Sequence, residues 1–173
     1  MSKYTSEEKE IIEKVKTYLK SIRTLKNEKF SLQLEYEDIP KPQSPVFTEA
    51  PGGFSQSKDH QLDSYITRRD LLLKRIELFN DEIDKFTPVL YLLKSGQRTI
   101  VNCFINARGY NEMILTLEQQ YYINESSYAR NINKICLELS KYIDYENPPE
   151  IEELNKEFSD YLKSASKMQV LCQ

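Results

Sequence analysis

With 173 residues, 39% of them hydrophobic and 29% charged, the chain suits one domain of ordinary size or two small ones. A net charge of −3 excludes a uniformly basic nucleic-acid binder. One histidine, four glycines and three cysteines with no CxxC pair leave no zinc motif, no glycine-rich phosphate loop and no cofactor to expect.

Charge is unevenly distributed. Residues 1–39 balance at zero and residues 144–173 carry −4, while residues 94–143, with 6 positive and 4 negative side chains, form the net-positive block. The isolated thiols Cys103, Cys136 and Cys172 fit a reducing cytoplasm. The opening residues MSKYTSEEKE lack an apolar run, so no signal peptide is expected, and no apolar window is long enough to predict a membrane partner.

In chain order, Thr5 and Glu8 have the spacing of a capping box. Behind them Ile11, Val15, Tyr18, Ile22, Leu25, Lys29, Leu32 and Tyr36 keep a 4-3-4-3 seam with Lys29 as its polar intruder. Pro40 ends this helix after about 33 residues, roughly 50 Å. Residues 40–54, rich in proline and glycine, read as a linker. A second long helix starts near Ser55 or Ser57. Its better seam is Leu62, Tyr65, Arg69, Leu72, Ile76, Phe79, Ile83 and Phe86; a neighbouring one runs through Leu62, Ile66, Arg69, Leu73, Ile76, Asn80, Ile83 and Thr87. Thr87-Pro88 is predicted to close it, with Pro88 opening a new segment, PVLYLL, that is apolar all round and buried.

After a break at Ser95-Gly96, residues 97–106 form an amphipathic helix through Ile100, Val101, Phe104 and Ile105. Arg108-Gly109 turns the chain. Residues 110–121 follow as a helix with Met113, Ile114, Leu117 and Tyr121 inward. Asn124 then caps a third helix over 124–139, whose apolar stripe is Tyr128, Ile132, Ile135 and Leu139. Beyond it, Asn147 is expected to cap a last helix with Pro148 at its first position and Glu150 at its third. That helix has a heptad series of Ile151, Leu154, Phe158, Tyr161, Ala165, Met168 and Cys172. The fold class is therefore all-α: two long helices as a hairpin or coiled coil over 1–93, a helix-turn-helix over 94–143, and an acidic amphipathic helix over 144–173. The heptad seams predict either a self-contained core or a homo-oligomer, most simply a dimer.

Function concentrates in 124–139. Ser126, Ser127, Arg130, Asn131 and Lys134 fall away from the apolar stripe, short and polar near the helix start and cationic beyond it. That pattern suits a helix entering the major groove of double-stranded DNA: Arg130 toward guanine O6/N7, Asn131 toward adenine N6/N7, and the serines on phosphates. Lys94, Arg98 and Arg108 are candidates for backbone contacts from the preceding elements. The plainer reading makes all of these ordinary solvated side chains. Carboxylate pairs such as Glu7-Glu8 and Glu152-Glu153 sit on periodic helices without a histidine, so no enzyme is expected.

Residues 94–143 resemble region four of sigma factors, and more closely the phage late-gene transcriptional regulators of the RinA and ArpU type. The stretch Asn124, Glu125, Ser126, Ser127, Tyr128, Ala129, Arg130 carries the likeness, together with Lys134, Ile135 and Leu139. The resemblance implies a promoter-binding activator of late packaging and morphogenesis genes in the bacterial host cytoplasm, with host RNA polymerase as a further partner. It departs from the pattern at Glu118, where Ala is usual, and at Tyr122, where Gly is usual. Without glycine a tight left-handed turn is costly, so a wider turn or a different helix crossing is expected. Two other classes fit the same elements: a small terminase-like packaging protein and a helical protein-binding module of antirepressor or inhibitor type.

Overall fold

The computed structural model describes residues 4–42 and 56–171, the side chains of 56–59 and 166–171 excepted, and all regular structure among them is helical. Most of the 40–54 linker and the heptad position Cys172 lie outside the described residues, as does the Met168 side chain.

Helix α1 spans Ser6–Glu37. Its capping box is formed: Thr5 Oγ1 accepts from the Glu8 N–H at 3.2 Å, and Glu8 Oε2 accepts from the Thr5 N–H at 2.8 Å. Helix α2 spans Gln56–Leu92. The two run antiparallel, as cross-links show: Tyr18 meets Phe86, Glu28 meets Arg75, and Glu35 meets Arg68. The better of the two α2 seams is the one used, with Leu72, Phe79, Ile83 and Phe86 buried.

Thr87-Pro88 does not close α2. The helix continues through Pro88 to Leu92, because a proline removes one hydrogen bond but the flanking leucines still gain burial. Leu90 and Leu93 are buried, whereas Tyr91 and Leu92 are 70% and 58% exposed, so PVLYLL is amphipathic rather than buried all round. The break falls at Leu93-Lys94, and helix α3 begins earlier than expected, over Ser95–Asn106.

Helices α4 (Tyr110–Tyr121) and α5 (Glu125–Leu139) follow, then α6 (Ile151–Leu171). Asn147 does not cap α6: its side chain donates to Asp144 Oδ2 at 2.8 Å within a turn, and α6 starts three residues after Pro148, at Ile151. The Pro149 carbonyl instead accepts from Ser21 Oγ, which ties that connection to α1.

Two apolar clusters fill the interior. One joins Ile12, Val15, Leu19 and Ile22 of α1, Phe86 and Leu90 of α2, and Leu93 just after it to the buried faces of α3, α4 and α5. The other holds Leu25, Leu32, Ile39, Leu72, Phe79, Ile83 and Leu154 between α1, α2 and α6. Packing thus crosses residues 93 and 94. Ile12 and Leu19 lie off the predicted α1 seam because this helix buries two faces, one on α2 and one on α3 and α5.

Candidate nucleic-acid interface

The helix-turn-helix candidate is α4, its turn and α5, braced by α3 and α1. Asn124 Oδ1 accepts from the Ser127 N–H at 2.9 Å, satisfying one free donor of the first α5 turn. Tyr128, Ile132, Ile135, Cys136 and Leu139 are buried against the core. Burial pushes the Cys136 thiol up to about 12 and raises the Tyr128 hydroxyl as well.

On the opposite side, Ser126, Arg130 and Lys134 stand one turn apart along a single exposed edge. Ser127 and Asn131 are half-buried beside them. Arg130 Nε donates to the Ser126 carbonyl at 3.2 Å, and Asn131 Nδ2 to the Ser127 carbonyl at 2.9 Å. Both side chains therefore lie along α5, back toward its N-terminus, as helical rotamers favour.

Lys94 joins this group. A cleft of about 360 Å³ between the start of α3 and the middle of α5 has Ile100, Ile123 and Ile135 among its walls and is also lined by Lys94, Asn131 and Lys134. Lys94 is the N-cap position of α3, and its backbone N–H donates to Gln97 Oε1 at 3.1 Å.

Arg98 and Arg108 are placed elsewhere. The Arg98 guanidinium donates to the carbonyls of Leu90 at 3.0 Å and Leu93 at 3.2 Å and lies over the Tyr91 ring. It thereby adds a donor at the end of α2, where the Leu90 carbonyl otherwise accepts, among the described residues, only from the Leu93 N–H at 3.3 Å. Arg108 is exposed, 6.0 Å from the Phe30 ring centre, and shares a second cleft with Lys26, Lys29 and Glu112.

The α4–α5 turn is tight despite lacking glycine. Tyr122 takes the left-handed conformation itself, at φ 56° and ψ 31°, and the N–H groups of both Tyr122 and Ile123 donate to the Leu117 carbonyl. The expected wider turn is not formed: closing α4 satisfies the Leu117 carbonyl, which offsets the left-handed backbone, and the Tyr122 ring, 91% exposed, meets no neighbouring element. Tyr121 does not face inward either; it is 47% exposed, since the turn begins before its side chain reaches the core.

Two anchors escaped sequence reading. Tyr110 Oη donates to Glu125 Oε1 at 2.7 Å and its ring meets Tyr128 edge-on, which fixes the start of α4 to the start of α5. Arg23 reaches from α1 to the end of α3, with Nε donating to the Phe104 carbonyl at 2.7 Å and the guanidinium 4.1 Å from the Phe104 ring centre. Neither has a local signal, because each partner is distant in sequence.

Among the described residues no cluster of His, Cys, Asp and Glu could hold a metal ion, and no helix is long and apolar enough to cross a membrane. No protein-family model, curated protein or solved structure matches the chain.

Proposed function

We propose that the chain is a DNA-binding transcription regulator that sets the first turns of α5 in a major groove. The observation that carries this reading is the separation of faces on α5. One side is buried, while Ser126, Arg130 and Lys134 form a free polar and cationic edge behind a capped N-terminus. Such an edge supplies serine hydroxyls for phosphates and a guanidinium for a guanine edge. Lys94, across the cleft from Lys134, adds a cation for the adjoining backbone. Arg98 has no part in it, being occupied by the end of α2. By resemblance to the RinA and ArpU type, the reading extends to activation of phage late genes in the bacterial cytoplasm, as a dimer acting with host RNA polymerase.

The test is selection of a preferred duplex from a random pool, followed by titration of variants at two salt concentrations. Arg130→Ala is expected to weaken the selected duplex about tenfold, or ~1.4 kcal/mol. Lys20→Ala, an exposed charge on α1, serves as control and should change little. Equal effects of the two substitutions overturn base readout by α5. Absence of salt-dependent DNA retention points to a protein-binding module instead. Ring-sized oligomers on DNA point to the terminase-like alternative.

A further inference from the structure

Helix α2 carries more apolar surface than the hairpin covers. Leu72, Phe79 and Ile83 are buried in the hairpin, but Leu62 and Ile66 remain 46% exposed and Leu73 40% exposed. Ile66 and Leu73 belong to the neighbouring seam that the fold left unused, and Leu62 is common to both seams. Their side of α2 carries Asn80, bonded to Lys29, whereas Arg75 marks the opposite flank, where its guanidinium meets Asn155 of α6. The stripe therefore lies on the side of the hairpin away from α6.

Its charged border differs by flank: Arg69, three residues after Ile66 and four before Leu73, is turned toward α1 and held by Tyr36 and Tyr65, whereas the solvent flank is acidic. Ile66 has Asp63 three residues before it and Asp70 four after; Leu73 has Asp70 and Glu77 in the same relation. On a helix those positions adjoin the apolar side chain, so the acids form a column along the stripe. Asp63, Asp70 and Glu77 are all exposed. Beyond the acids, Lys74 is 3.5 Å from Glu77 and lies 5.7 Å from the centre of the Tyr161 ring on α6. Among the described residues neither Asp63 nor Asp70 takes part in an ion pair.

We infer that this face docks a basic amphipathic helix of another protein, its apolar seam on Ile66 and Leu73 and its Lys or Arg side chains on the acidic column. The charge excludes the other occupants. DNA and anionic membranes are repelled, and a second copy laid antiparallel across a two-fold axis would set the acidic column against itself. A helix with apolar seam positions and cationic flanks satisfies both features at once.

A synthetic peptide of about three heptads, with Leu at the seam and Lys at the flanks, is the probe, beside a counterpart with Glu for Lys. Titrated into the full chain without DNA, the Lys peptide is expected to bind at least about tenfold more tightly than the Glu peptide. Ile66→Ser with Leu73→Ser should weaken that binding about tenfold, and Asp70→Lys with Glu77→Lys should reverse the preference. Asp160→Lys, an exposed acid on α6, should leave it unchanged. Circular dichroism checks that each variant keeps its helicity. The inference is overturned if neither peptide binds, if both bind alike, or if the α2 variants behave as Asp160→Lys does. It is overturned too if sedimentation shows a dimer that Ile66→Ser with Leu73→Ser dissociates, since the face then belongs to a second copy. The assay contains no DNA, so its failure and that of the DNA-binding reading are separable.

Discussion

Lys29 Nζ lies 2.9 Å from Asn80 Oδ1, so the polar intruder of the α1 seam meets an amide on α2, and Asn80 Nδ2 in turn donates to Asp84 Oδ2 at 3.0 Å. Both Lys29 and Asn80 are half-buried. A polar pair in an otherwise apolar seam contributes little net stability but penalises any register that separates its members. Asn80→Leu alone should cost about 1–2 kcal/mol, because Lys29 loses its acceptor. Combining it with Lys29→Leu should recover that loss or exceed it. A double-mutant cycle by urea denaturation measures the coupling; additive effects would mean the pair is not coupled.

What the sequence made legible was mostly local. The Thr5–Glu8 box, the Asn124 cap and the α5 stripe depend on residues three or four apart, so spacing alone encodes them. The α2 seam was legible because two candidate periodicities competed and the one with more aromatic bulk, ending in Phe79 and Phe86, won the hairpin core. Illegible features needed the third dimension. Pro88 reads as a stop, yet burial of Leu90 and Leu93 carries the helix past it. Arg98 reads as a free cation until the end of α2 brings the Leu90 and Leu93 carbonyls to it. On α5, the exposed edge was legible as the complement of the stripe, whereas its cleft with Lys94 required the placement of α3.

Tyr122 holds a left-handed backbone at φ 56° while its side chain is 91% exposed. The conformation costs an ordinary residue about 1 kcal/mol that glycine does not incur, and no packing is lost by removing the ring. Tyr122→Gly is therefore expected to stabilise the chain by about 1 kcal/mol, read as a higher urea midpoint at constant m. Tyr122→Val should do the opposite, since a β-branched residue tolerates that region worst. A Gly variant no more stable than the Val variant would refute the assignment of strain to this turn.

Arg23 couples α1 to the helix-turn-helix. Its guanidinium satisfies the Phe104 carbonyl near the end of α3, stacks on the Phe104 ring, and reaches to 3.7 Å from Met113 Sδ on α4. A cation at a helix C-terminus also interacts favourably with the dipole. Arg23→Leu keeps much of the apolar stem but strips the carbonyl of its donor, with an expected loss of about 1.5–3 kcal/mol. Lys26→Ala removes the neighbouring contact to Asn106 Oδ1, at 2.6 Å, from an exposed setting and should cost far less. Thermal melts of the two variants distinguish a shared anchor from an ordinary surface contact: similar shifts would deny Arg23 the bracing role.

Alkaline pH should loosen the core beneath α5 first. Burial lifts the Cys136 thiol from an ordinary value near 9 to about 12, so between those pH values the folded chain keeps a proton that the unfolded chain has released. The unfolded state binds fewer protons there, and stability must fall as pH rises; below about 9 the thiol makes no contribution to pH dependence. The slope is bounded at roughly 1.4 kcal/mol per pH unit for one group. Tyr128, raised by burial in the same direction, acts with the same sign once pH passes the ordinary tyrosine value. Cys136→Ala will lower stability at every pH through the lost side chain, so the informative quantity is the slope of unfolding free energy between pH 9 and 11 rather than its level. That slope should flatten more in Cys136→Ala than in Cys103→Ala, whose shallower thiol burial also raises, if the deep thiol dominates. Equal slopes in all three chains would place the alkaline sensitivity elsewhere.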